Sequence, residues 1–183
     1  EDRIRMNRLA AAFSILSQGV PFFHAGEEML RSKPLEDGTF DHNSYRSSDE
    51  VNNLKWADLS QAEYQLTNAY YQGLIAFRKA HPALRMITAE EVAQKITKLG
   101  GLDFNVVGFH IAAGANGEEN ELIVVFNPNP NPSTVTLPEG DPVDSLLKNG
   151  GYETTMAGFP ASWNLWQSTG GLNAASDREV FKE

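Results

Sequence analysis

The sequence predicts an α/β region that forms the end of a (β/α) barrel, followed by an antiparallel β-sandwich. Residues 20–23 are a short apolar run, which ends in Gly26 and two carboxylates, Glu27 and Glu28, and helix patterns flank it. A buried strand that delivers polar groups at its carboxyl end is how a barrel builds its active-site face. After about residue 99, Gly, Pro and Asn separate short apolar runs, which is typical of a sandwich. We assign residues 1–85 to the C-terminal part of the barrel and 86–183 to a sandwich that we expect to be truncated.

The first helix is predicted over residues 3–17, where apolar side chains recur at spacings of three and four. They are Met6, Leu9, Ala10, Phe13 and Leu16. Gly19 is suited to end this helix, because glycine adopts the left-handed conformation of a C-terminal cap. Pro21 then stands at the start of the predicted strand, where a missing N–H is tolerated.

Two capping boxes, each a hydroxyl residue followed three positions later by Glu, predict later helix starts. The first runs from Ser60 to Glu63 and precedes a helix that Pro82 ends. The second, from Thr88 to Glu91, predicts a short helix over 89–95. The apolar stripe of the longer helix reads as core on spacing alone, and it comprises Leu66, Tyr70, Leu74 and Phe77.

Three strand-like runs follow about residue 99. The first covers 106–111 and is closed by residues 114–117, and the second covers 122–126 and is closed by the Asn-Pro run at 127–132. Val135 and Leu137 belong to a third. The Gly-rich segment 148–176 is interpreted only as further strands and turns.

Composition excludes several classes of function. The 183 residues contain 41% hydrophobic and 21% charged residues, which is typical of a globular chain. A net charge of −9 disfavours nucleic acid and anionic membranes as partners, because both repel an acidic surface. The absence of cysteine excludes disulfides and thiolate zinc sites. It leaves the compartment unknown, and no signal peptide opens the chain.

Residues 29–59 form a long polar segment in which apolar residues are sparse and show no period. Loops of this length inside a compact domain are uncommon and are usually functional or disordered. Because this one directly follows the strand end that carries Glu27 and Glu28, we predict that it is functional.

At this point the residues resemble a known family. Gly19-Val-Pro21 followed by Gly26-Glu-Glu28 resembles the last-strand motif of the α-amylase superfamily, glycoside hydrolase family 13. The loop is similar to that of type I pullulanases, debranching enzymes that cleave α-1,6-glucosidic links in pullulan and branched α-glucans. The similar pieces are Arg31-Ser-Lys33, Asn43-Ser-Tyr45, Asp49-Glu-Val-Asn52 and Trp56. The resemblance is dense over residues 3–90 and extends through His81-Pro82 into the sandwich.

The resemblance implies a (β/α)8 barrel and a retaining mechanism whose catalytic Asp, Glu and Asp lie on earlier strands, with no counterpart in this chain. The remainder of that barrel is then a partner of this chain, and an α-glucan is its ligand. The loop would border the sugar subsites near the cleaved bond. The predicted substrate-binding residues are Glu28, Arg31, Lys33, Asn43, Tyr45, Asp49 and Asn52.

Each of these assignments has a structural alternative. Glu28 could pair with an Arg to hold the barrel mouth, and the loop residues could bond their own backbone, as Asn, Asp and Ser do in turns. Glu27 and Glu28 cannot both flank one bond if they are adjacent on a strand, because adjacent strand residues point to opposite faces. No metal or other cofactor is expected; calcium at Asp37 and Asp41 is conceivable in the parent protein, and His24 lacks a second His at helical spacing. His42, in the polar loop, could touch substrate or solvent.

Two other interpretations remain open. The chain could be a stand-alone α-glucan-binding or interaction module, with Tyr152, Trp163 and Trp166 as a stacking platform or, equally, as core. It could also belong to a superfamily member without debranching activity, if the loop motifs are coincidental. The first interpretation remains a fragment that carries part of the cleft but is inactive alone.

Overall fold

The computed structural model describes residues 2–136 with their side chains, and the backbone of residues 145–149 and 164–167. The helices are α1 (Asp2–Leu16), α2 (Asp49–Asn52), α3 (Ala62–Ala80) and α4 (Ala89–Lys95). The strands are β1 (Ile96–Lys98), β2 (Val107–Ile111), β3 (Leu122–Phe126), β4 (Ser145–Asn149) and β5 (Asn164–Gln167). Short 3-10 turns lie at Glu27–Met29, Ser44–Arg46, Trp56–Ser60, Pro82–Arg85 and Ala115–Gly117. Among the described residues, no helix has both the length and the hydropathy that crossing a bilayer requires.

Helices α1 and α3 pack against each other and run in the same direction. Arg8 of α1 donates to Thr67 Oγ1 near the start of α3 (3.1 Å), and Arg78 near the end of α3 donates to the carbonyl of Ile15 (2.7 Å). The chain between two parallel helices has to travel back along their length. In a barrel a strand makes that return, so neighbouring helices are parallel. The arrangement is therefore compatible with the barrel end that the sequence predicts.

The strand predicted over residues 20–26 is not formed in the described structure. This segment is irregular, and Val20 and Phe22 are 96% and 88% exposed. A strand exists only with a neighbour that completes its hydrogen-bond ladder. None of the described strands lies beside this segment, so Val20 and Phe22 remain uncovered here, whereas Phe23 packs against Tyr71 with ring centroids 5.7 Å apart.

The prediction for α1 is confirmed in part: Leu16 is buried and Leu9 packs against the core, whereas Met6, Ala10 and Phe13 are exposed. Ala11, Ala12 and Ile15 enter the core in their place, so the buried stripe is rotated from the predicted one. Phe13 still contacts Phe126, with ring centroids 4.9 Å apart. In α3 the prediction is confirmed for Tyr70, Leu74 and Phe77, while Leu66 is exposed.

Of the two predicted capping boxes, only the Thr88 half of the second is formed, because Glu91 Oε1 accepts from the Asn116 N–H. Ser60 does not cap α3; it ends the preceding 3-10 turn, and its hydroxyl donates to the carbonyl of Ala57 (2.8 Å). That turn moves the helix start to Ala62, where Gln61 precedes it. Thr88 does cap α4, because its Oγ1 accepts from the Glu91 N–H at 3.1 Å. The short helix over 89–95 is thus confirmed.

The described strands form one sheet in the order β1-β2-β3-β4-β5. Pairing is antiparallel except between β3 and β4, which are parallel. One face, with Ile111, Val124 and Phe126, shares the main core with α1 and α3. The other face carries a small cluster around Leu99 and Ile123. Strands β2 and β3 confirm two predicted runs, and the sheet is compatible with one layer of a sandwich.

The third predicted strand does not form at Val135. This side chain packs on the Leu99–Ile123 cluster from an irregular segment, and Leu137 lies outside the described residues. The chain after β3 is tied to the 103–104 turn instead. Asn129 Nδ2 donates to the Phe104 carbonyl (2.8 Å), and Ser133 Oγ donates to Asp103 Oδ2 (2.5 Å). Three prolines in 127–132 also remove N–H donors that a ladder needs.

The 3-10 turn Ala115–Gly117 of the sheet region is hydrogen-bonded directly to the helical region. Asn116 Nδ2 donates to the carbonyls of Pro82 and Arg85, at 2.9 Å each. Beside it, His81 Nδ1 lies 3.2 Å from the buried Glu118 Oε2. One core cluster joins residues on both sides of the proposed boundary at 85/86, so that division stays a prediction.

Candidate functional site

The polar segment begins in a tight turn whose carboxylates serve the local backbone. Glu27 Oε1 accepts from the His24 N–H (3.0 Å), and Glu28 Oε2 accepts from the Gly26 N–H (2.9 Å). Both residues lie in a 3-10 turn and not on a strand, so the argument that they must face opposite sides of a sheet does not hold. The predicted Glu28–Arg pair is also not formed among the described contacts.

Arg31 closes this turn against the far end of the loop. Its guanidinium donates to the carbonyl of Ala25 (3.0 Å) and to the carbonyl of Asn52. Gly26, at φ +97°, lies directly beneath the Arg31 side chain, and a Cβ built on it would come within 2.7 Å of Arg31 Cδ. This close approach is possible only because residue 26 is glycine. Residues 25–31 and 52–54 are therefore in direct contact.

The centre of the loop is a cluster that we call the polar knot, formed by Lys33, Ser44 and Asn52. Asn52 Nδ2 donates to the carbonyls of Ser44 (2.7 Å) and Ser47 (3.1 Å). The Ser44 hydroxyl donates to Asn52 Oδ1 (2.8 Å) and accepts from Lys33 Nζ. Ser44 is 5% exposed, so its polar atoms depend on these partners. The knot joins three segments that are far apart in the sequence of the loop.

The remaining predicted residues are presented outward. Asn43 and Asp49 are exposed, and Tyr45 is 80% exposed on the 3-10 turn Ser44–Arg46. The structure thus separates the predicted set into two groups. Arg31, Lys33 and Asn52 brace the loop, as the structural alternative expected, whereas Asn43, Tyr45 and Asp49 are free to reach a ligand. Whether any of them contacts substrate stays a prediction.

Acidic side chains brace the outer part of the loop. A hydrogen bond from the Thr39 hydroxyl lowers the pKa of Asp37, and the Ser47 hydroxyl with the Asn43 N–H lowers the pKa of Asp41. These are the two residues at which the sequence makes a calcium site conceivable. Over the described residues, no group of three or more His, Asp or Glu side chains is placed to hold a metal ion. His24 and His42 are exposed.

A cavity of about 210 Å³ lies between α1 and residues 22–23. Its floor is Tyr71, whose hydroxyl lies 3.4 Å from Asn7 Oδ1. Burial, together with the negative charge of Glu27, raises the pKa of Tyr71 to about 12. The cavity opens beside the exposed Phe22, where the predicted strand lacks neighbours.

The raised pKa of Tyr71 predicts a loss of stability at alkaline pH. Between the ordinary pKa of 10.0 and about 12 the folded state keeps a proton that the unfolded state releases. The unfolded state then binds fewer protons, so the free energy of unfolding falls as pH rises through this window. Urea unfolding of Tyr71→Phe is expected to lack this component. Wild-type and variant curves that stay parallel across the window would contradict the assignment.

Sequence reasoning missed two residues that organise the site. In the sequence, Ser44 stands out only as the middle of Asn43-Ser-Tyr45, and Gly26 only as the end of an apolar run. The signal for Gly26 was its place between a turn and two carboxylates. No periodic signal marks Ser44, because its partners come from distant parts of the loop. Side chains of Tyr152, Trp163 and Trp166 lie outside the described residues, so the stacking platform stays a prediction.

Comparisons with known proteins identify relatives of this loop and its helices. The chain is 32% identical over 147 residues to a pullulanase of Bacillus subtilis, covering 80% of this chain and 19% of that protein. A solved pullulanase from Bacillus acidopullulyticus matches with a TM-score of 0.67 and 38% identity, over 76% of this chain and 16% of that one. A Paenibacillus barengoltzii pullulanase, solved with maltohexaose and α-cyclodextrin, matches with a TM-score of 0.71 and 37% identity, over 82% and 22%. No protein-family model matches the chain.

The fold, the loop and these relatives, which include isoamylases, define the class as the glycoside hydrolases. Within that class the Bacillus subtilis relative and the two solved structures described above are pullulanases, and the chain belongs to the pullulanase family. The resemblance that the sequence motifs indicated is confirmed. The chain spans 19% of the length of the Bacillus subtilis relative. The activity of a protein that contains this chain is therefore a proposal.

Proposed function

We propose that this chain forms one wall of the α-glucan cleft in a pullulanase-type glycoside hydrolase that cleaves α-1,6-glucosidic links with retention of configuration. The observation that carries the proposal is the braced loop. Gly26, Arg31 and the polar knot hold it, and it turns Asn43, Tyr45 and Asp49 outward. An aromatic face next to planar amide and carboxylate groups suits the apolar faces and hydroxyls of a glucan.

The reaction itself is assigned to residues outside this chain. A retaining glycosidase needs two carboxyl groups about 5–5.5 Å apart on either side of the scissile bond, one as nucleophile and one as acid. The family resemblance implies that the catalytic Asp, Glu and Asp lie on earlier strands, and Glu27 and Glu28 each give one carboxylate oxygen to a backbone N–H of their own turn. The chain contributes binding and orientation of the glucan, and the carboxylates come from other elements of the barrel.

The uncovered side chains of Val20 and Phe22 support a barrel as the partner. Val20 and Phe22 are almost fully exposed, and the adjacent cavity exposes further apolar surface of α1. Neighbouring strands of a barrel would supply the missing hydrogen-bond partners and cover these side chains. In this proposal the remaining strands of the same barrel are the partner, and an α-glucan such as pullulan or a branched maltooligosaccharide is the ligand.

The test compares the intact polypeptide that carries these residues with the 183-residue chain alone. We expect the intact polypeptide to release reducing ends from pullulan and the chain alone to release none. Hydrolysis by the chain alone would overturn the assignment of the catalytic carboxylates. If pullulan in an affinity gel retards the intact polypeptide but is not hydrolysed by it, the binding-module interpretation replaces the enzyme interpretation.

A further inference from the structure

The polar knot leaves Ser44 and the amide N–H groups of Asn52 little capacity to bind sugar. Both N–H groups of the Asn52 amide are used by the carbonyls of Ser44 and Ser47, and its oxygen accepts from the Ser44 hydroxyl. Lys33 Nζ in turn donates to Ser44 Oγ. Buried polar groups that are already paired gain little from a ligand and lose much if they are unpaired. The hydrogen bonds of these residues therefore hold the loop in its conformation.

What the knot fixes is the turn that carries Tyr45. The two carbonyls bound by Asn52 belong to Ser44 and Ser47, the residues just before and just beyond Tyr45-Arg46, and the Ser47 N–H closes the turn on the Ser44 carbonyl at 3.0 Å. One side chain thus holds both ends of a four-residue turn. The aromatic ring between them is 80% exposed and faces no described aromatic partner.

We propose that the polar knot positions Tyr45 as a stacking surface for an α-glucan, with Ser44 and Asn52 as positioning residues and not ligands. This inference rests on the proposed function and narrows it to one contact. An aromatic ring on a fixed turn loses little conformational freedom when a sugar stacks on it, so affinity is gained by preorganisation. Release of the turn leaves the same ring present but disordered, with weaker binding.

The test is a double-mutant cycle in the intact polypeptide, with KM and kcat for pullulan as readouts. Tyr45→Ala is expected to raise KM about tenfold with little change in kcat, as loss of one stacking contact would. Asn52→Ala should raise KM by a similar factor. Because both changes remove the same contact, the double variant should be no more than about twofold worse than either single variant.

Asn53→Ala is the matched control, since Asn53 follows in the chain and its exposed side chain makes no hydrogen bond in the described structure. Its KM should stay at the wild-type value. Ser44→Ala is a second variant, which deletes only the hydroxyl of the polar knot. If Asn52→Ala fails to fold, Ser44→Ala takes its place in the double-mutant cycle with Tyr45→Ala. A residue that acts only on overall stability would lower the melting temperature without any coupling to Tyr45 in KM.

The outcomes separate this inference from the function on which it rests. Hydrolysis of pullulan by the wild type, with KM effects of Tyr45 and Asn52 that multiply, overturns the positioning role alone. An unchanged KM for Tyr45→Ala does the same. Absence of pullulan hydrolysis and binding in the wild type overturns the proposed function and this inference with it.

Discussion

Arg78→Met is expected to lower the free energy of unfolding by about 3–5 kcal/mol, because it removes three charge-assisted hydrogen bonds from one buried and two partly buried carbonyls. The Arg78 guanidinium donates to the carbonyls of Ile15 (2.7 Å), Ser17 (2.7 Å) and Gly19 (2.6 Å), where α1 ends. Burial lowers the pKa of Arg78, and the nearby positive charge of Arg85 adds to this. Methionine fills the space but leaves these acceptors without a donor.

The measurement is urea unfolding of the intact polypeptide, followed by far-UV circular dichroism. Lys79→Met is the matched control, since Lys79 is the next residue of α3 and its side chain is exposed. It removes the same kind of charge from the same helix, and its effect should stay within about 0.5 kcal/mol. Equal losses for the two variants would show that Arg78 does not hold the end of α1.

Gly26→Ala is expected to cost about 2–4 kcal/mol and to weaken pullulan binding, because a methyl group collides with the side chain that braces the loop. The added Cβ would lie 2.7 and 2.8 Å from Arg31 Cδ and Cβ, and 2.9 Å from Leu54 Cδ2. Residue 26 also has φ +97°, where L-residues are strained. Arg31 would have to move, and its hydrogen bond to the Asn52 carbonyl would be lost.

Gly38→Ala separates the collision from the backbone strain. Gly38 has φ +81° in the same loop, but nothing lies within 4 Å of a Cβ placed there. This variant should cost only about 1 kcal/mol and leave pullulan binding unchanged. Thermal unfolding and KM for pullulan measured on both variants provide the comparison. If both variants behave alike, packing of Arg31 over Gly26 does not organise the loop.

The sequence patterns that predicted structure correctly are those that depend on near neighbours. Helix α4 follows from Thr88 and the three residues after it, and β3 follows from five consecutive apolar residues with a proline-rich end. The strand predicted at 20–26 fails because a strand also needs a partner, which none of the described strands provides. Likewise Ser60 has the residue type of a helix cap, but its hydroxyl donates to the Ala57 carbonyl within the preceding 3-10 turn.

Sequence patterns predict even less of the candidate site, because its contacts join residues that are far apart in the sequence. Family resemblance identified Arg31, Lys33 and Asn52, yet residue type alone could not tell a sugar ligand from a brace. That distinction depends on which atoms are already paired, and the pairs span 8 to 21 positions of an irregular loop. Outward-facing Tyr45 and buried Ser44 are neighbours in sequence, and only the fold of the turn separates their roles.

Direct contact between α1 and α3 also makes the segment between them tolerant of length changes. Contacts such as Arg8 with Thr67 and Arg78 with Ile15 join the two helices directly, and none of them involves the tip of the connection at 36–40. For a flexible connection, doubling its length adds only about 0.6 kcal/mol of closure entropy. Insertions near the exposed tip at 36–40 can therefore reshape the surface offered to a ligand while the helix pair stays folded, which makes this segment a favourable place for specificity to diverge.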